Sequence, residues 1–119
     1  MILQSGRDEI ISLIGNGLSG SKISGINIGT SDDAVEDTQT ALQSPLDSEA
    51  GLTASQSGDS MSLVNTFTDN SGTVNEVGLY TDDEDDTQIS RQVVGSVNLE
   101  SQDTLEVTLE LALSDISQV

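Results

Sequence analysis

The sequence predicts a mainly β chain: an antiparallel β-sandwich, jelly-roll-like, with a short N-terminal helix. Three observations carry that expectation. The final segment alternates strictly, with Leu105, Val107, Leu109, Leu111 and Leu113 on one side and Thr104, Glu106, Thr108 and Glu110 on the other. Period two marks a strand with one buried and one wet face. The apolar residues are mostly Val, Ile and Leu among Thr and Ser, with Phe67 and Tyr80 the only aromatics, a composition that favours strands over helices. About five such segments follow one another on mostly short connections, as in a pair of packed sheets. At 119 residues, one domain spanning 1–119 and one core are expected.

The elements follow in order. Residues 7–15 (RDEIISLIG) read as a short helix, because Ile10, Leu13 and Ile14 share a face and Asp8 and Glu9 suit a first turn. The glycines of GNGLSG, Gly15 to Gly20, then stop it. A strand is expected at 22–28, where Ile26 and Ile28 alternate with Asn27. Residues 29–60 are polar and acidic, hold the only proline, Pro45, and read as a long surface loop with one helical turn at Asp37 to Leu42. Loops of that length usually bind something or move. Ser60 to Thr68 reads as a strand, Asp69-Asn70-Ser71-Gly72 as a hairpin turn tolerant of positive φ, and Thr73 to Thr81 as the partner strand. The acidic connector Asp82 to Asp86 leads to a strand at 88–97 and then to the alternating final one.

Charge is the dominant feature. Arg7, Lys22 and Arg91 are the only bases against 21 acids, a net charge of −18. In dilute buffer such self-repulsion opposes a compact state. At about 1 M salt the Debye length is roughly 3 Å, and the repulsion largely vanishes. The composition therefore points to a chain adapted to concentrated salt. Disorder is the alternative for an acidic, aromatic-poor chain, but the regular strand periodicity and the even spread of the acids favour a fold with a solvated surface.

The same charge restricts partners. Three bases cannot neutralise a nucleic-acid backbone or hold an anionic membrane surface, and no segment approaches the ~18 apolar residues of a membrane span. The opening MILQSGR lacks a basic stretch followed by an apolar one, so no signal peptide is visible. Without Cys or His there is no disulfide, thiolate site, His-ligated zinc or Ser-His-Asp triad. Carboxylate pairs arise by chance among 21 acids, with no aromatic platform for a sugar. Gly15, Gly17 and Gly20 lack the Lys-Ser/Thr of a phosphate loop. The chain is not expected to be an enzyme.

Some residues invite a functional reading. Asp82, Asp83 and Asp85 offer the oxygen ligands that Ca²⁺ or Mg²⁺ requires, but the tract lacks the glycine and distal glutamate of an EF-hand loop; a solvated acidic loop is the alternative. No other cofactor is implied. Gly78, inside a strand, marks either a bulge or a close approach by the N-terminal segment or a neighbouring subunit. Arg91, the only cation of the C-terminal half, calls for a salt bridge within the subunit or across an interface. The stripe Ile10, Leu13 and Ile14 either seals the sandwich or docks on a partner. Ile10, Leu13, Ile14, Gly78 and Arg91 form the candidate interface.

The segment Asn75-Glu76-Val77-Gly78-Leu79-Tyr80 resembles a loose family of small structural proteins of tailed viruses, which carry N-E-[IV]-G-L-[FY] after a glycine turn, then an Arg-containing strand and an alternating last strand. Gly6-Arg7-Asp8, Ile23 to Thr30 (ISGINIGT), Asp37 to Leu46 and Arg91 are similar to the family's corresponding segments, so the resemblance spans roughly residues 5–113. The acid load and the Asp82 to Asp86 tract depart from the pattern. Family members are tail-fibre-like or exterior head proteins. The resemblance implies a virion component of a haloarchaeal tailed virus, made in the host cytoplasm. It would be a head decoration (turret) or a tail-fibre or baseplate subunit. Its partners would be three or five copies of itself and other virion proteins. A different class also fits the residues: a cellular adhesion or carbohydrate-binding module of a halophile.

Overall fold

In the computed structural model the described residues are 1–15, 22–81 and 87–112, the side chains of 12–15 excepted. Helix α1 (Gln4–Gly15) precedes seven strands: β1 (Ile23–Gly29), β2 (Pro45–Glu49), β3 (Ser55–Ser57), β4 (Ser60–Thr68), β5 (Gly72–Thr81), β6 (Gln92–Leu99) and β7 (Thr104–Ala112). They form two antiparallel sheets, one ordered β2-β1-β5-β6 and the other β3-β4-β7. The chain lays strands down in pairs, β1 and β2 in the first sheet, β3 and β4 in the second, β5 and β6 in the first, with β7 returning to the second.

The core lies between the sheets. Ile26 and Ile28 of β1 and Val74, Val77 and Leu79 of β5 meet Leu63 and Phe67 of β4 and Val107 and Leu111 of β7. Alternation in β7 places Val107 and Leu111 inside and leaves Thr104, Glu106, Thr108 and Glu110 exposed, as period two requires. Leu105 and Leu109 are only half-buried, because β7 is a sheet edge. Leu113 lies outside the described residues.

Several expectations are corrected. The turn at Asp69 to Gly72 does adopt positive φ, 61° at Asp69 and 133° at Gly72, but it is not a hairpin. It carries the chain from one sheet to the other: β4 pairs with β7, while β5 pairs with β1 and β6. Turn chemistry is local, whereas the choice of strand partner depends on residues far along the chain. The stretch 29–60 is not one loop, since it contains β2 and β3, with Leu42 buried and Leu46 and Leu52 packed on the core. Strands of five and three residues are too short to show a period. Within 37–42 only Asp37 and Thr38 form a turn, and no helical turn follows.

Helix α1 begins three residues before Arg7, so Asp8 and Glu9 fall beyond its first turn. Tertiary contacts cause the extension. Leu3 N donates to Ile89 O at 2.9 Å, Arg7 N to Leu3 O at 3.0 Å, and Ser5 Oγ to Gln88 O at 2.7 Å. Ile2 and Ser90 form a β-bridge, and Met1 N and Arg91 O lie 3.3 Å apart. Ile2, Leu3 and Ile10 are buried. The N-terminal segment is thus part of the chain's own fold.

Candidate functional site

Both faces of β5 are covered, and the outward face builds the most distinctive chemistry in the chain. Val77 and Leu79 point into the sandwich, while Glu76, Gly78 and Tyr80 alternate with them toward the outside. On neighbouring β1, Gly25, Asn27 and Gly29 pair with Tyr80, Gly78 and Glu76 respectively. The glycines make room. A Cβ on Gly25 would enter the Tyr80 ring, one on Gly29 the Glu76 carboxylate, and one on Gly78 would strike the Gln88 side chain and the Ser90 carbonyl. Gly78 sits in regular register opposite Asn27, so it marks a close approach and not a bulge, and what approaches is residues 88–90 of the same chain.

Into this space fits a fully buried ion pair. Arg91 Nε donates to Glu76 Oε1 at 2.8 Å, and both side chains are 0% exposed. Glu76 accepts three further bonds, from the amides of Gln43 (2.9 Å), Ser44 (2.8 Å) and Ser31 (3.2 Å). Arg91 Nη1 donates to the Asp33 carbonyl at 2.9 Å and to Gln39 Oε1 at 3.3 Å. Burial works against the Glu76 carboxylate, but the Arg91 bond and the three amides outweigh it and hold the group below the ordinary glutamate range. A second cation fastens the same connection: Arg7 meets Asp37 at 2.8 Å and the Ile2 carbonyl at 3.0 Å. Two of the chain's three bases therefore clamp the segment between β1 and β2. Asn27 and Gln88 exchange two side-chain bonds beside it, at 2.8 and 3.1 Å.

The two pairs differ in kind. Arg7 and Asp37 keep side-chain exposures of 31% and 47%, so molar salt screens their attraction. Arg91 and Glu76 are shielded from solvent ions, and removing either leaves an uncompensated buried charge. The Glu76 carboxylate is held by four N–H donors, two on each oxygen, and is closed off from solvent.

Three of the five candidate interface residues are buried. Ile10 is 7% exposed and in the core, Gly78 is buried, and Arg91 is 0% exposed in a pair within the chain. The Leu13 and Ile14 side chains, and Asp82, Asp83 and Asp85, lie outside what is described. No group of three or more acidic residues is placed to hold a metal ion among the described residues. Sequence reasoning missed Glu76 as the partner of Arg91. The available signal was an acid on the same strand face as Gly78, since a strand glycine announces close packing over its face.

A second feature is an opening between β6 and β7, the adjacent edges of the two sheets. It is lined by Val74, Val77, Val94, Val97, Leu105 and Leu109, together with Val107 and the polar Gln92, Glu106 and Thr108. Comparison with known protein families, curated proteins and solved structures finds no match to this chain.

Proposed function

We propose that the chain is a structural protein on the exterior of a tailed virus particle from a high-salt host. It would be a head decoration (turret) or a tail-fibre or baseplate subunit that assembles with its own copies and docks on other virion proteins. The observation that carries this reading is a convergence. The segments resembling virion proteins, Ile23 to Thr30, Asn75 to Tyr80, Asp37 to Leu46 and Arg91, lie far apart in sequence yet meet in one packed layer around Glu76. A layer tied by a fully buried ion pair suits a rigid, repeated building block.

The alternative, a carbohydrate-binding module, needs aromatic faces on which sugars stack. Both aromatics of the chain, Phe67 and Tyr80, are buried. Mass spectrometry of density-purified particles from the source culture tests the assignment. Peptides of this chain are expected in copy number comparable to other shell or tail proteins. Recovery only in cell-envelope fractions, with none in particles, would contradict it.

A further inference from the structure

Among the described residues, strand β6 is the outermost strand of its sheet, bonded to β5 on one side only. A free edge offers a row of unpaired backbone donors and acceptors, and sheets ordinarily guard it with charges or proline. The other edges here are guarded or brief. β2 carries Pro45, Asp47 and Glu49, β7 carries exposed Glu106 and Glu110, and β3 has three residues. β6 reads QVVGSVNL, eight residues without a charge or a proline. Val93 and Val97 are exposed at 40% and 37%. The side chains bonded to it from β5 are neutral as well, with Thr73 bonded to Asn98 and Ser96 to Asn75; the nearest acids are Glu100, just past its end, and Glu106 of β7.

Charge decides what can cover this edge. Each copy carries −18, so two copies approach most easily where neither presents a carboxylate. The strand is also complementary to itself. Run antiparallel about a two-fold axis between Gly95 and Ser96, Val94 of each copy faces Val97 of the other, Val93 faces Asn98, and Gln92 faces Leu99. Val94 and Val97 both line the opening between the sheets, so the register sets apolar side against apolar side. The register irregularity against β5 between Val74 and Glu76 lets two residues three apart share that side.

We propose that β6 is the self-association edge: two copies join antiparallel, β6 to β6, extending each four-stranded sheet into its partner's. The contact is isologous. It rests on the reading of the chain as an assembling subunit and specifies even copy numbers, where analogy with virion rings suggests three or five.

Gly95 gives a clean test, because a Cβ there meets nothing within 4 Å and its backbone is not in the left-handed region. Gly95→Glu would bring two carboxylates together across the axis and desolvate both, opposing the pairing even where salt screens their charge. Light scattering in molar KCl is expected to give an even-numbered wild type. Gly95→Glu should weaken association by at least about tenfold at an unchanged unfolding midpoint, while Gly95→Val and Thr108→Glu on β7 keep the wild-type mass. A wild-type oligomer whose mass survives Gly95→Glu, or one of three or five copies, overturns the β6 contact but not the assembly reading. A monomeric wild type across micromolar concentrations overturns both.

Discussion

Replacing Arg91 with leucine is expected to cost about 3–5 kcal/mol, since Glu76 would be left buried without its cation. That is a large part of the ~5–15 kcal/mol available to a domain. Urea unfolding in molar KCl measures it, with Arg7→Leu as the comparison, because the Arg7 pair is solvent-exposed and screened. An Arg91→Leu shift no larger than that of Arg7→Leu would contradict the clamp. The double variant Glu76→Leu/Arg91→Leu should not recover wild-type stability. Buried ion pairs can often be exchanged for apolar residues, but this carboxylate also serves the amides of Ser31, Gln43 and Ser44. The clamp also fixes an acid response. The native Glu76 carboxyl lies below its ordinary value, so its stabilisation is complete above the unfolded value of about 4.3 and is lost as pH falls through the lower native value. Glu76→Gln removes that titration, so its midpoint should change less than the wild type's below about pH 4.3.

Gly6→Val is expected to detach the N-terminal segment. A Cβ on Gly6 would enter the backbone of Ile89, with Ile89 Cα at 2.7 Å. Backbone cannot swing aside as a side chain can. The buried side chains at risk are Ile2, Leu3 and Ile10, each stabilising by about 1.5–3 kcal/mol. Trypsin provides the readout, because Arg7 lies in the held segment and should be cut much faster in the variant. Ile11→Asp serves as a control at a position 61% exposed. If Gly6→Val left cleavage at Arg7 slow and the unfolding midpoint unchanged, the segment would not be an integral part of the sandwich.

What the sequence made legible was local. The bounds of β4, Ser60–Thr68, and the alternation of β7 are readable in the chain, because a half-buried strand writes period two directly into it. The pairing of β4 with β7 across 35 intervening residues left no local trace. Asp69 and Gly72 announced a turn without saying whether it closed a hairpin or crossed between sheets. The candidate site was half visible. Arg91 called for an acid, but 21 acids compete for that role, and only the glycines at 25, 29 and 78 distinguish the face on which Glu76 lies. The helix stripe leaves sealing the sandwich and docking on a partner equally open, because sequence shows amphipathicity without showing what lies opposite.

The proposal that this acidic sandwich assembles and depends on salt is tested by sedimentation with circular dichroism along one salt series. From molar KCl down to about 0.05 M, without divalent ions, the Debye length grows several-fold from roughly 3 Å. A net charge of −18 should then dissociate the oligomer and erode the β signal. A fully folded monomer of 12.4 kDa at both ends of the series would contradict the account.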